Sequence, residues 1–284
     1  METSLAGNDS ALNTYLRLSL FFRYLLACMR YRAIPWNYFQ LNNRYFNKKK
    51  GIFSKLEIDA LIPRQLRLKQ AYYDPDTLPE RYPVFIKPEW GQNSNGIVCV
   101  NCQKEYKAFE DVARASDMPF IVQEACPGKK EIEIYYLRLP GANDKYAFLS
   151  ITEVTNSCKK GYPINSIHDP CTGYVDITST FCAEELQIIW RFLHNIGNFR
   201  MARVGLKVDN IQKLLQGDFH IVEINLFLPM PLVLFAENVD LHKKKKIITK
   251  TMSLAAQLVK QIPRDETGER IFFRKLKAHY KVKQ

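Results

Sequence analysis

The pattern of apolar and polar positions predicts a chain of mixed strands and helices. Short runs with a period of two predict strands, and longer amphipathic runs predict helices. The predicted strands cover 84–87, 97–101, 119–124, 131–139 and 146–154, and two more carry Asp209 and Glu223; the predicted helices cover about 104–116, 183–197 and 238–262. Because these elements alternate without a strict β-α-β order, we expect an α+β fold rather than a doubly wound sheet.

The N-terminal stretch from Tyr15 to Ile34 is apolar and aromatic, but arginine interrupts it four times. A membrane-spanning helix needs about 20 nearly uncharged residues, and Arg23 falls in the middle of this one. We therefore expect a helix packed within the fold, ended by Pro35. A basic amphipathic helix on a membrane surface and an Arg-rich transit peptide are the alternatives.

Loop-forming residues suggest where the chain divides. Asp74-Pro75-Asp76 and Pro79 precede the first strong strand, so we place a boundary near residue 80. The expected regions are a short, mostly helical region at 1–80, a small unit at 81–125 and a larger unit at 126–284. We find no internal repeat.

Composition adds two constraints. A formal net charge of +12 favours anionic partners, which include nucleotides, carboxylates, nucleic acid and acidic membranes. Basic runs at 243–246 and 270–283 supply much of this charge, and we interpret them as a solvated helix face and a chain end rather than a nucleic-acid site. Seven scattered cysteines, with no cleavable signal sequence before them, favour a reducing compartment, and we expect a cytoplasmic protein.

Two separated segments carry the candidate chemistry. Lys87 ends a strand and is followed by a loop of small residues from Gly91 to Gly96, a combination that suits polyphosphate. Far along the chain, Glu223 and Asn225 lie two residues apart on one strand, so their side chains share a face. With Asp209 on the neighbouring strand they form a set of hard oxygen ligands that suits magnesium.

The order of these motifs resembles the ATP-grasp superfamily, and within it most closely the D-alanine–D-alanine ligase group of carboxylate–amine ligases. The resemblance covers about residues 55 to 240. It implies an ATP-grasp fold, in which 81–125 is the lid subdomain and 126–284 is the C-terminal subdomain with the metal site.

The resemblance also implies roles for individual residues. The residues expected to bind ATP are Lys87 at the phosphates, Asn93, Ser94, Asn95 and Gly96 in a mobile flap, Glu124, Ala125 and Cys126 at the adenine hinge, Glu131 at the ribose, and Val222. Glu133 is an alternative to Glu131. Asp209, Glu223 and Asn225 are the expected metal ligands. Lys207 matches a position usually held by arginine at the anionic intermediate, and Arg203 is a second candidate for that catalytic role or a structural residue.

Two departures from this family affect the acceptor end. The ligases place a glycine soon after the Glu-x-Asn strand, and its N–H helps to hold the tetrahedral oxyanion, whereas this chain has Pro229, which lacks an N–H. Their strand-rich first domain is replaced here by about 80 mostly helical residues. The acceptor is therefore not expected to be D-alanine. The polar loop 159–174, with Lys159, Lys160 and His168, is the expected substrate-facing segment, and a plain surface loop is the alternative.

The function implied is an ATP-dependent ligase that joins a carboxylate and an amine through an acyl-phosphate. The expected cofactors are ATP and two magnesium ions, for which manganese could substitute. The expected partners are small molecules, such as amino acids or a peptide, and not nucleic acid; membrane contact is the less favoured alternative, and the oligomeric state is open, with a dimer among the choices. An ATP-grasp kinase acting on a hydroxyl and a non-catalytic ATP-binding protein are the competing functions.

Overall fold

The computed structural model describes residues 3–91, 94–126, 128–158, 161–266 and 271–274, excluding the side chains of 3–11, 13 and 143. Helices and strands are interleaved, as the sequence predicted. The helices are α1 (Thr3–Tyr31), α2 (Lys55–Asp59), α3 (Gln103–Ala108), α4 (Glu110–Arg114), α5 (Ala183–His194), α6 (Ile211–Gln216) and α7 (Leu241–Lys260). The strands are β1 (Gln70–Tyr72), β2 (Val84–Pro88), β3 (Val98–Val100), β4 (Phe120–Glu124), β5 (Lys130–Leu139), β6 (Ala142–Asn156), β7 (Thr172–Asp176), β8 (Met201–Val208) and β9 (His220–Asn225).

The first sheet is antiparallel, with strand order β1-β4-β2-β3. Alternation along β2 buries Val84 and Ile86 against Tyr106 and Phe109, which lie in α3 and at the junction of α3 with α4. It turns Lys87 to the opposite face of the sheet. The helix predicted over 104–116 is divided at Phe109, whose buried ring contacts this core.

The second sheet is antiparallel, with strand order β7-β6-β5-β8-β9. One of its faces is apolar and packs on α5 and α6. The other face is apolar toward one end of the strands and polar toward the other end. Toward one end, Tyr135, Leu137 and Met201 pack against α7 and α1, while the same strands carry Glu133 and Arg203 farther along. This division leaves a polar half of the sheet available for a site.

Among the side chains that the structure describes, helix α1 packs on α7 through one side. The residues buried there are Leu16, Tyr24, Ala27 and Cys28. This side of α1 therefore packs within the fold, as the sequence predicted. The opposite side of α1 is exposed and apolar. Within the described residues, no helix is long and apolar enough to cross a membrane.

The connection between the sheets begins where β4 ends, at Glu124, and reaches β5 at Lys130. Strand β1 belongs to the first sheet although it precedes residue 80, so residues of the helical region extend the smaller unit. The proposed domain boundaries stay predictions. Cys158 and Cys171 form a disulfide bond, which the scattered spacing of the cysteines did not indicate.

Candidate functional site

A cavity of about 500 Å³ lies between the two sheets. Both sheets, the loop after β2, the loop before β7 and the segment after β9 contribute to its walls. The polar residues that line it include Arg17, Lys55, Lys87, Gln123, Glu124, Glu131, Glu133, Asn165, Arg203, Lys207, Glu223 and Asn225. Most of the residues singled out from the sequence are therefore brought together at one place.

Lys87 is almost fully buried in the wall that the first sheet provides. Its Nζ donates to Oε1 of Gln123 at 2.9 Å and to the carbonyl oxygen of Val222 at 3.4 Å. Burial lowers the pKa of Lys87 to about 8, and the nearby charge of Lys55 adds to this effect. Val222 thus meets Lys87 through its main-chain carbonyl, which also accepts a hydrogen bond from Gln123 at 3.1 Å.

The predicted flap lies over the cavity on the side of the first sheet. Ser94 and Gly96 have left-handed backbones, with φ of 59° and 75°, and a Cβ on Gly96 would lie 3.0 Å from Cγ of Pro88. Glycine at 96 therefore allows a tight return toward β2. Ser94 and Asn95 line the cavity, whereas Asn93 lies outside the described residues.

The loop between β6 and β7 forms a second wall, and it holds the flap. Oγ of Ser94 donates to the carbonyl oxygen of Asn165 at 2.7 Å, and Nδ2 of Asn165 donates to Oε2 of Glu131 at 2.9 Å. Residues 163–167 line the cavity. From the predicted substrate-facing loop, His168 is exposed, and Lys159 and Lys160 lie outside the described residues.

The predicted hinge is held by main-chain hydrogen bonds. The N–H of Glu124 donates to the carbonyl oxygen of Lys69 at 3.0 Å, and Oε1 of Glu124 accepts from the Lys69 N–H at 2.7 Å. The N–H of Ala125 donates to the Pro83 carbonyl oxygen at 3.3 Å. Cys126 is buried at the cavity, where burial raises the pKa of its thiol.

Two acid–base pairs cover the polar half of the second sheet. Glu131 lies 3.8 Å from Nζ of Lys207, and Glu133 lies 3.2 Å from Nε of Arg203. Burial raises the pKa of Glu131, and it raises that of Glu133 to about 7 although the charge of Arg203 opposes the shift. Gly205 makes room for this arrangement, because a Cβ there would lie 2.9 Å from Oε1 of Glu133.

Glu223 and Asn225 lie together on β9. Nδ2 of Asn225 donates to Oε2 of Glu223 at 3.1 Å, and Nζ of Lys55 lies 3.5 Å from Oε1 of Glu223. Burial by itself would raise the pKa of Glu223. The charges of Lys55, Lys87 and Arg203 outweigh burial and hold the pKa of Glu223 below its ordinary value. The carboxylate therefore stays ionised at neutral pH.

Asp209 is not brought to Glu223 and Asn225. Gly205 is the cross-strand partner of Glu223, and Asp209 follows four residues later, beyond the end of β8. At about 3.3 Å per residue, this separates the two positions by roughly 13 Å along the strand. Asp209 is exposed. In the described part of the chain, no group of three or more His, Cys, Asp or Glu residues is placed to hold a metal ion.

The segment after β9 closes the end of the cavity next to Arg203. Leu228, Pro229 and Met230 line it, and the Met230 carbonyl oxygen accepts from Nη1 of Arg203 at 3.4 Å. Pro229 therefore lies at the cavity wall, where it has no N–H to offer.

Sequence reasoning missed three polar residues of this cavity, Arg17, Lys55 and Gln123. The capping pattern Ser-x-x-Glu at 54–57 indicates a helix that starts at Lys55. In the structure, Ser54 accepts the expected hydrogen bond from the Glu57 N–H. Nothing in that pattern shows that the helix lies beside β9. Gln123 was visible as a polar residue on an apolar strand, one position before the predicted hinge residue.

Comparison with known proteins gives matches at the level of structure. No protein-family model matches the chain, and no curated protein matches it. VanG D-Ala:D-Ser ligase from Enterococcus faecalis is similar with a TM-score of 0.50 and 17% identity, over 75% of this chain and 70% of that one. A D-alanine–D-alanine ligase from Bacillus anthracis gives 0.48 and 14%, over 75% and 68%. An L-amino acid ligase from Bacillus licheniformis gives 0.44 and 18%, over 64% of this chain and only 42% of that chain.

The predicted fold is confirmed. The chain has the α+β ATP-grasp fold, with two antiparallel sheets and a mostly helical N-terminal region before them. At such low sequence identity the likeness shows the fold alone.

Proposed function

We propose that this chain is an ATP-dependent ligase that forms an amide bond between a carboxylate and an amine, with release of ADP and phosphate. One observation carries the proposal: buried Lys87 from the first sheet and ionised Glu223 from the second face a single cavity. That cavity lies between the two sheets of an ATP-grasp fold. A cation and a carboxylate on opposite walls suit a nucleotide polyphosphate with its metal ion.

Two of the three predicted metal ligands fit magnesium. Glu223 supplies a carboxylate and Asn225 an amide oxygen on the same face of β9. The side-chain nitrogen of Asn225 donates a hydrogen bond to Glu223. Its side-chain oxygen is the atom that would bind the cation. Magnesium usually takes one or two carboxylates and completes its shell with phosphate and water, so Asp209 is not needed. When bound, the metal would neutralise charge on the phosphates.

The reaction we propose begins at the nucleotide. A substrate carboxylate oxygen attacks the γ-phosphorus of ATP, the bond to the bridging oxygen breaks, and ADP leaves. Lys87 offsets negative charge on the phosphates during this step. The flap, which consists of Ser94, Asn95 and Gly96, covers the phosphates. Glu131 holds the ribose. The adenine base contacts the hinge residues Glu124, Ala125 and Cys126.

The second step takes place at the acceptor end. An amine nitrogen attacks the carbonyl carbon of the acyl-phosphate, and the carbon–oxygen bond to phosphate breaks. We assign Arg203 to the anionic intermediate because it is the cross-strand partner of Asn225 and contacts the segment that holds Pro229. Lys207 lies farther toward the hinge, next to Glu131, and supports the nucleotide. Glu133, beside Arg203 and with a pKa of about 7, is placed to accept the proton of the amine.

ADP release with mixed amino acids and short peptides tests this function. We expect turnover that needs magnesium, a carboxylate and an amine, and a loss of at least about a hundredfold in Glu223→Ala. Asp117→Ala, which removes an exposed acid outside the cavity, is the matched control and should behave like the wild type.

Hydroxylamine separates the competing reactions. If it replaces the amine, an acyl-phosphate gives a hydroxamate, which is the result we expect. A stable phosphate ester with no hydroxamate would instead show a kinase acting on a hydroxyl. Release of AMP, or turnover unchanged by Glu223→Ala, would refute the proposal.

A further inference from the structure

The outward side of α1 carries an apolar stripe that the rest of the described chain leaves exposed. Its members recur at intervals of three and four residues, so they lie on one face of the helix. We call this set the outer stripe: Tyr15, Leu18, Phe22, Leu26 and Met29, which are between 42% and 68% exposed. Large apolar side chains in such a row mark a surface that contacts another molecule or a membrane.

Basic residues border the outer stripe. Arg23 and Arg30 are exposed on one edge of it, and Lys245 of α7 lies close enough to place its Nζ 5.9 Å from the ring centroid of Tyr15. Residues 10–56 contain no Asp or Glu, and neither does α7. The whole surface therefore combines apolar side chains with positive charge and no acidic residue.

We propose that the outer stripe docks on a membrane surface that contains anionic lipid. A helix whose exposed face is apolar and bordered by arginine can lie in the interface, where that face enters the acyl boundary and its cations meet lipid phosphates. Arginine side chains are long enough to keep their charge at the headgroups while the stripe is buried. The exposed rings of Phe21 and Trp36 lie on or just after the same helix and suit this interface.

A second copy of the chain fits this surface less well. Two stripes packed together would bring two sets of arginines into contact, with no carboxylate within residues 10–56 or on α7 to pair with them. Such like-charge contacts oppose association. Nucleic acid is also a poorer fit, because the centre of the surface is apolar and the cations lie at its border.

Docking through α1 has a consequence for the cavity. Arg17 lies on the same helix and lines the cavity between the sheets. A docked α1 would hold that part of the cavity wall about one helix diameter, roughly 10 Å, from the lipid. The inference about docking does not depend on the reaction proposed above.

Vesicle flotation of the full chain tests the proposal. We expect binding to vesicles of phosphatidylcholine mixed with phosphatidylglycerol, and at least tenfold weaker binding to phosphatidylcholine alone. The double variant Phe22→Ser with Met29→Ser should bind the mixed vesicles at least tenfold more weakly. Arg23→Gln with Arg30→Gln should weaken binding to the mixed vesicles and reduce its dependence on salt.

Matched controls keep the test decisive. Val112→Ser removes an equally exposed apolar side chain from α4 and should bind vesicles like the wild type. Circular dichroism and the urea midpoint show whether each variant folds, and Leu18→Ser with Leu26→Ser serves if the first pair does not. Binding that both serine pairs leave unchanged, or equal binding to neutral and mixed vesicles, would overturn the proposal. So would a dimer in light scattering that the serine variants dissociate, with no vesicle binding by the wild type.

Discussion

Nζ of Lys55 lies 3.5 Å from Oε1 of Glu223, and this ion pair joins the N-terminal region to the last strand of the second sheet. Lys55 acts on two groups at once. Its charge helps to hold the pKa of Glu223 below the ordinary value, and it adds to the lowering of the pKa of Lys87. Lys55, in the N-terminal region, thus influences the protonation of two residues on opposite walls of the cavity.

The affinity for ATP should depend on pH through Lys87. With a pKa of about 8, Lys87 carries its charge below that pH and loses it above, so the attraction to phosphate weakens as pH rises. We expect Kd to rise by less than about twofold from pH 6.5 to 7.5, and above pH 8 an increase approaching about tenfold per pH unit. Titration calorimetry measures this. Lys87→Arg keeps its charge throughout, and a parallel increase in that variant would contradict the prediction.

Replacing Lys55 should move that pH dependence. Because the charge of Lys55 lowers the pKa of Lys87, Lys55→Met should raise it, and the increase in Kd should begin at a higher pH than in the wild type. Lys55→Arg retains the charge and is the matched control. Calorimetry over the same pH range compares the three proteins. An unchanged or lower onset in Lys55→Met would show that Lys55 does not act on Lys87.

Glu223 and Asp209 should differ sharply in activity assays. Glu223→Gln removes a charge from the cavity wall, and we expect ADP release to fall by at least about a hundredfold. Asp209→Asn changes an exposed residue beyond the end of β8, so activity should stay within about threefold of the wild type. Equal losses in both variants would favour the metal set that the sequence pattern suggested over the arrangement in the structure.

Asn42 should contribute strongly to stability. Its buried amide donates to the carbonyl oxygens of Met201 and Leu226, at 2.7 and 2.9 Å, and accepts from the N–H of Arg200 at 3.0 Å. Asn42→Ala leaves these groups without their partner, so we expect the free energy of unfolding in urea to fall by about 2–4 kcal/mol. Asn101→Ala, which removes an exposed amide, should change it by less than about 0.5 kcal/mol. Similar losses in the two variants would count against this role.

Much of the fold was accessible from local pattern. The strands that carry Lys87, Glu124 and Glu223 lie where alternation placed them, because a period of two encodes both a strand and the face that each side chain occupies. The loop of small residues that ends at Gly96 was likewise visible in the sequence, and the structure gives a reason for glycine there, because its φ is 75° and a Cβ would lie 3.0 Å from Cγ of Pro88. The order of these motifs was sufficient to predict an ATP-grasp fold.

The cavity itself was decided by tertiary structure. Spacing placed Asp209 with Glu223, but strand register brings Gly205 opposite Glu223 and leaves Asp209 beyond the strand end. Spacing also gave no sign that Lys55 would reach Glu223 or that half of α1 would stay exposed. The sequence by itself therefore determined the elements and their buried faces, because those follow from local periodicity, and the resemblance of its motif order to the ATP-grasp superfamily implied the fold. Only the tertiary structure decided which distant charges meet, because register and helix placement depend on packing between segments far apart in the chain.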